Sequence, residues 1–488
     1  MEYFAEDLVL EGDRIIEQQP AISDKALRIN MNHNIYGTFA EIGAGQETVR
    51  HFFRAGGSSR TIAKAMSAYD KSFSDAIYSV EDDGRYVTES RLNKMLDYET
   101  KKIEDRIPRA ENPTKTFFSY ANTVATIDYA KKNKGHGWVG IIFQTTPNEP
   151  YSKIVLHIQF KETDSKLQQE TLGILGVNLI YGAYYQHHDP KKLISCLYDH
   201  LDRDQIEIDS ISLTGHLFSS IDNRLMSLLL VKNGMTEAVM FGPDGQSRLA
   251  ANELYRKNIL ALRGSFRPVT LVNMDMYKKA LASFISENHL QKQDTTVIFE
   301  ITLSNLLMEG NLDENDFLHR ADLLCSLGQT VMISNFQEYY KLTAYFSKYT
   351  TEKIALSMGV SSLLNIFEEK YYANLTGGML EALGKLFRNQ MRIYLYPMHD
   401  ETGTILDSTN LKVDLHIKEL YKFFKKNNQI VDITDYDPKN LDIFSRDVLR
   451  SLQRNESGWE EKLPTGIASM IKEKQLFGYA QPKEEIHS

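Results

Sequence analysis

In the second half of the chain, polar side chains recur at the ends of short apolar runs. Asn273 and Asp275 follow VTLVN (269–273), Glu300 and Thr302 close TVIFEI (296–301), Ser334 and Asn335 close TVMISN (330–335), and Ser357 and Gly359 close KIALSMG (353–359). Carboxylates that arrive beside amides and hydroxyls suit proton transfer on a small substrate: the carboxylate moves the proton and its neighbours orient the reacting group. Asp275 and Glu300 are the candidate acid/base groups, and Asn273, Ser334 and Asn335 the candidate substrate contacts. Arg263 and Arg267, a few residues ahead, suit a two-point grip on an anion. Ser361, two residues beyond Gly359, suits either a helix cap or a phosphate contact at a helix start. Polar residues are also expected wherever strands simply meet solvent.

A second place with chemical potential is IYGTFAEIGAGQETVRHFFRAGGSSRTIAKAM (35–66). It predicts a strand, a turn at Gly43 and Gly45, and a helix over 47–54. A second turn through Gly57, Ser58, Ser59 and Arg60 leads toward another helix-like segment. Two glycine turns that each open a helix present backbone N–H groups to a phosphate; the same residues also suit a glycine C-cap followed by a serine N-cap. Gly43-Ala44-Gly45 is only part of a dinucleotide fingerprint, since Thr48 stands where the third glycine belongs.

The segment 37–70, with RGSFRPVTLVNMDM (263–276) and ISNFQEYYKL (333–342), resembles a bacterial family of about this length whose members carry loose labels: nicotinate-nucleotide adenylyltransferase or TonB-dependent receptor. The first label implies a G-T-F-D-P-x-H-x-G-H signature whose histidines contact a triphosphate. Gly37, Thr38, Phe39 and Gly45 fall in its register, but Gly43 and Gln46 replace both histidines and Ala40-Glu41 replaces Asp-Pro. On this resemblance the chain is a nucleotidyltransferase-like protein without its signature histidines. The second label implies an export signal and many alternating strands of ~10 residues, and the sequence has neither.

The elements that must position these residues follow from periodicity. The runs at 269–273, 296–301, 330–335, 353–359 and 391–397 are apolar at adjacent positions, as strands covered on both faces by helices require, and are expected to be parallel. FLHRADLLCSLG (317–328) between them predicts a crossover helix with Asp313 and Asp316 at its start and Gly328 at its end. MSLLLVKNGMTEAVMF (226–241) predicts a hairpin turning at Asn233-Gly234. The expected fold class is α/β: a C-terminal mixed or mostly parallel sheet, barrel-like or doubly wound, preceded by an α+β domain and an N-terminal helical segment. The expected division is 1–112 largely helical, beginning with a packing arm over 1–28; 113–204 α+β, with strands at 116–126, 137–144 and 153–160; 205–400 the α/β core; and 401–488 mostly helical. Thr88 suits the N-cap of a helix over 88–106. Lys131, Lys132, Lys134 and His136 form a small basic loop that either receives a phosphate or is a solvated turn.

Several chemistries are excluded or left without a motif. Net charge is -9 and the basic residues are scattered, so no footprint for nucleic acid is visible. The two cysteines, Cys196 and Cys325, give neither a disulfide framework nor zinc-ligand spacing. His187-His188 suits a helix C-terminus better than a metal pair, so no metal site is assigned. No G-x-S-x-G, H-E-x-x-H or C-x-x-C occurs, GGMLEALGKLF (377–387) lacks the spacing of a P-loop, and no cofactor is named. With no signal-like start and no apolar run of ~20 residues, the expectation is a soluble cytoplasmic protein away from membranes. It is expected to self-associate as a homo-oligomer, as large cytoplasmic proteins commonly do. The functional expectation is an enzyme acting on a small anionic, phosphorylated or nucleotide-like metabolite; the alternative is a non-catalytic ligand-binding or scaffold protein.

Overall fold

The computed structural model describes residues 8–11, 14–17, 19–82, 84–131, 134–307 and 313–479. Part of the expected amino-terminal arm (1–7, 12, 13 and 18) and Lys132 of the basic loop lie outside them. The described part of that arm is a short hairpin, Leu8–Glu11 against Arg14–Glu17, followed by helix α1, Ile22–Met31. The protein is α/β and forms two compact units, Met1–Thr236 and Glu237–Ser488.

The first unit is built on one six-stranded sheet. Its strands are β1 (Ile35–Ile42), β2 (Ile62–Ala68), β3 (Thr116–Ala125), β4 (His136–Phe143), β5 (Ser152–Phe160) and β6 (Ile206–Gly215), in the order β2-β1-β3-β4-β5-β6. β1 runs parallel to β2 and β3, and the remaining pairs are antiparallel. One face is covered by α1, α2 (Glu47–Ala55), α5 (Ser165–Tyr185), α6 (Pro190–Cys196) and α7 (Asn223–Lys232). Phe39, Tyr120, Ile141 and Leu156 of the sheet pack there against Ala26, Phe52 and Leu175. The close α2–α5 approach depends on glycine: a Cβ at Gly176 would stand 2.3 Å from Thr48 Oγ1 and 2.6 Å from the Tyr120 hydroxyl. The other face carries α4 (Glu89–Arg106), capped by the Thr88 hydroxyl at Arg91 N–H as its sequence predicts, with Leu92 and Leu96 over Gly140. A shorter helix, α3 (Lys71–Tyr78), precedes it.

This sheet joins pieces the sequence had divided. β1 pairs with β3 across the expected boundary at 112, and β6, expected in the C-terminal core, pairs with β5 across the one at 204. Strand pairing is non-local, and no local pattern states which sheet a strand joins. Two further expectations change for local reasons. The 226–241 segment is helix α7 followed by a strand at Ala238–Phe241. Gly234 at φ 69° ends that helix, with Met235 N–H bonded back to Leu230 O, the left-handed stop an Asn-Gly pair serves as readily as a hairpin turn. The segment after Gly57 is one 3-10 turn, Ser58–Arg60, leading into β2 rather than a helix.

The second unit holds an open eight-stranded sheet, not a barrel. Its strands are β7 (Ala238–Phe241), β8 (Ser247–Arg248), β9 (Asn258–Arg263), β10 (Thr295–Thr302), β11 (Thr330–Ser334), β12 (Ile354–Gly359), β13 (Arg392–Tyr396) and β14 (Ile430–Asp432), in the order β8-β7-β11-β10-β9-β12-β13-β14. β9 to β14 are mutually parallel, as their doubly apolar runs imply, and β7 and β8 extend one edge antiparallel. Counted from β9, the parallel strands lie in the order 3-2-1-4-5-6, a doubly wound sheet whose direction of growth reverses between β9 and β12. Tyr340 and Phe346 of α10 (Tyr339–Phe346), with α11 (Val360–Ile366), α12 (Gly378–Leu386) and α13 (Lys418–Lys426), fill one face. On the other, α8 (Leu271–Asn288) and α9 (Glu314–Ser326) set Phe284 and Phe317 beside Tyr394 and Phe241. Asp313 caps α9 at the N–H groups of Asn315 and Asp316, and Gly328 follows its end at φ 75°, both as expected.

VTLVN is not a strand. The strand is NILALR, which ends at Arg263 ahead of that run, and α8 begins at Leu271 because Asn273 Oδ1 accepts the Thr270 N–H and hydroxyl at 2.9 Å each. A five-residue apolar run fits a helix start as well as a strand, and this cap decides between them.

Candidate functional site at the carboxyl ends of the parallel strands

Ligands of open parallel sheets bind beyond the carboxyl ends of the strands, where the strand order reverses. Here the order reverses between β9, which ends at Arg263 and continues into Gly264-Ser265, and β12, whose end lies within Ser357 to Ser362. Leu262 and Ser357 stand opposite one another across the reversal. The Ser357 hydroxyl is buried without a hydrogen-bond partner.

Glu300 and Arg263 are each other's partners rather than a free proton carrier and a free anion clamp. Arg263 Nε and Nη2 donate to the two Glu300 oxygens at 2.8 and 2.9 Å, Nη1 donates to Gln337 O at 2.9 Å, and the guanidinium lies 4.3 Å over the Tyr339 ring. Ser334 Oγ donates to Glu300 Oε1 at 2.6 Å, so the carboxylate accepts from both partners while fully buried. Burial acts to lower the Arg263 pKa, but the Glu300 charge and hydrogen bonds, with Tyr339 and Glu338, together outweigh it, so the pKa rises and the guanidinium stays protonated.

Asp275 lies in the second turn of α8, half-buried, where Oδ2 accepts the Tyr396 hydroxyl at 2.6 Å and the Asp437 N–H at 2.9 Å. Burial, reinforced by that carboxylate, raises the Tyr396 pKa and keeps the phenol protonated. Arg267 Nε donates to Asp316 Oδ1 at 2.5 Å, and Asp316 also pairs with Arg320, whose Nη1 reaches Ser265 O. Asn273 is committed to capping α8, Asn335 is exposed with its N–H on Glu237 O, and the Ser361 hydroxyl is exposed beside Met398.

The other phosphate candidates, Gly57, Ser58, Ser59 and Arg60, belong to the first unit. Their turn follows α2, whose closing carbonyls at Phe52 and Gly56 are held by the Asn30 amide, and the Arg60 carbonyl accepts from Lys115. The 3-10 turn has no side-chain cap.

Two groups in the first unit escaped the sequence reading. Glu41, buried at the end of β1, accepts from Thr48 N–H (3.2 Å), Val49 N–H (3.0 Å) and Asn122 Nδ2 (3.2 Å), closing the start of α2. Burial raises its pKa to about 7 against the pull of those donors. His157, in β5, faces Asp209 of β6 and His136 of β4. The available signal was a lone acid in IYGTFAEI, and polar residues alternating with apolar ones in KIVLHIQF and IEIDSISL. Two surface pockets of about 370 and 390 Å³ also lie in this unit, one beside Asn34, Thr116 and Tyr185, the other beside Asp97, Lys101 and Tyr151. Neither includes a residue singled out above.

Among the described residues no helix is long and apolar enough to cross a membrane, and Cys196 and Cys325 are both buried thiols outside any disulfide. No family model matches the chain, and no curated protein matches it. Solved structures similar to it include a competence-damaged protein (CinA) superfamily protein from Enterobacter cloacae, at 10% identity and a TM-score of 0.25 over 36% of this chain and 99% of that one. A competence or damage-inducible protein from Enterobacter asburiae matches at 11% identity and TM-score 0.24, over 33% of this chain and 95% of its own. The competence/damage inducible protein CihA from Agrobacterium tumefaciens matches at 14% and 0.23, over 34% and 97%.

Proposed function

We propose that the second unit carries the site of an enzyme acting on a small anionic metabolite of the phosphorylated or nucleotide-like class. The observations that support this reading are the reversal of strand order between β9 and β12, the place where open parallel sheets bind their ligands, and the buried Ser357 hydroxyl near it, which has no hydrogen-bond partner. In this reading Asp275 is the proton carrier, hydrogen-bonded to a phenol that stays protonated, and Glu300, Arg263 and Ser334 fix the strand ends as one buried polar lattice. Arg267, Asn335 and Ser361 border the substrate, while Asn273 acts through the helix start it caps. The warrant for the site is architectural, because one doubly wound sheet supports many reactions.

The test is a thermal-melting screen of the chain against nucleotides, mononucleotides and sugar phosphates, followed by product analysis of any ligand that stabilises it. A ligand at ~100 times its Kd adds about 2.7 kcal/mol. The expected result is a stabilising ligand that still binds Asp275→Asn, with its conversion reduced at least a hundredfold. A ligand whose shift is unchanged in Arg267→Ala and Ser361→Ala, or full conversion by Asp275→Asn, overturns the assignment.

A further inference from the structure

The outermost strand of a sheet carries a row of backbone groups that no neighbour takes up, and folded chains commonly shorten or cover such edges. Three of the four edges of the two large sheets are closed in this way. In the second unit the edge strands β8 and β14 have only 2 and 3 residues. In the first unit the Leu213 N–H and carbonyl of β6 are both taken by the Asn223 side chain, at 2.7 and 3.1 Å, and the Ile208 N–H donates to Met235 O at 3.1 Å. The fourth edge, β2, has 7 residues, IAKAMSA, and among the described strands it pairs with β1 alone. Backbone groups alternate sides along a strand, and the Gly43 N–H bonds Ala68 O. Lys64, Met66 and Ala68 therefore turn theirs to β1, while the N–H and C=O groups of Ala65 and Ser67 point outward.

We propose that two copies of this chain associate through β2, the outer edges pairing antiparallel about a twofold axis beside Met66 so that one sheet runs through both copies. In that register Ala65 of each copy lies opposite Ser67 of the other, and the outward groups of both residues exchange hydrogen bonds, an isologous form of strand addition. Side chains do not obstruct it. Ala65 and Ser67 are small and share the α2 face, where Ala65 packs on the core; on the other face the strand's one charge, Lys64, is paired with Glu99 of α4, and Met66 Sδ accepts the Tyr78 hydroxyl at 3.1 Å. Exposed aromatic surface lies in the segments that lead into and out of the strand: Phe53 is 51% exposed, Tyr69 70% and Phe73 62%. The twofold also brings the exposed Arg60, ahead of the strand, diagonally across from the exposed Asp70 beyond its end. Lys71, beside Asp70, instead reaches over the turn at Gly84. A second copy is favoured over a foreign strand because this edge is complementary to itself in length, direction and charge. With the other edges closed, association stops at two.

The test is light scattering of the full chain across a concentration series, with hydrogen exchange followed at the Ala65 and Ser67 amides. The expected result is a species of twice the chain mass that dissociates on dilution, and slow exchange at both amides only while it persists. Ala65→Pro removes an N–H that the chain's own sheet does not use, a place where edge strands accept proline; it is expected to give a monomer whose circular dichroism and cooperative melt are retained. Ala63→Lys, at an exposed position of the same strand, is expected to raise the dissociation constant at least tenfold and keeps the test open if the proline variant fails to fold. A wild type that is monomeric throughout, a dimer untouched by a folded Ala65→Pro or by Ala63→Lys, or growth beyond two copies overturns the proposal.

Discussion

A carboxyl group with both oxygens turned into a helix start, as at Glu41, is held by donors that favour the anion, yet the group is wholly buried and burial wins. Its pKa rises from the ordinary 4.5 to about 7, so between those values the folded chain keeps a proton that the unfolded chain has released. The group's contribution to stability is therefore fully present below about pH 4.5, declines as pH rises, and is gone above about 7. The amount is on the order of 3 kcal/mol. Asn122 is suited to the protonated form: its Oδ1 is buried without a partner, and a turn of the amide would let it accept the acid proton. Glu41→Gln cannot titrate, so the stability of wild type relative to this variant is expected to fall by about 3 kcal/mol from pH 4.5 to 7 in denaturant melts. Parallel pH profiles for the two proteins would refute the assignment.

Between elements, contact is decided by small residues as much as by large ones. α5 is apolar around most of its circumference, because the sheet, α1, α2 and α6 surround it, and the α2 side is closed by Gly173 and Gly176. At Gly176 a methyl group would meet the Thr48 side chain and the Tyr120 hydroxyl at 2.3 and 2.6 Å, and Thr48 is itself tied by its N–H to Glu41. Neither neighbour can move without breaking the 3.0 Å bond between Thr48 Oγ1 and the Tyr120 hydroxyl. Gly176→Ala is therefore expected to destabilise the first unit by about 1–3 kcal/mol through overpacking, despite the gain in helix propensity. The check is urea denaturation beside Gly384→Ala, a helical glycine with nothing near its Cβ position. Equal stability of the two variants would contradict the packing argument.

Across the whole molecule, every described sheet closes within one unit: the six-stranded sheet ends with β6 before Thr236, and the eight-stranded sheet begins with β7 after Glu237. Each unit is of a size that folds alone. Separate expression of 1–236 and 237–488 is expected to give two pieces that each melt cooperatively; a piece without a cooperative transition would show that the division is not one of folding. Local chemistry made much of this legible in the sequence. The doubly apolar runs of β10 to β13, the aspartates and glycine that start and stop α9, and the threonine cap of α4 all act within a few residues, and the α/β class follows from them. What tertiary structure alone decided is non-local. Residues 206–215 join the first sheet because β5 offers them an edge. Arg263 and Glu300, 37 positions apart, neutralise each other because β9 and β10 pair in register. His136, His157 and Asp209 become neighbours through two strand ladders, and a sequence records the residues on a strand but not the strand that will lie beside it.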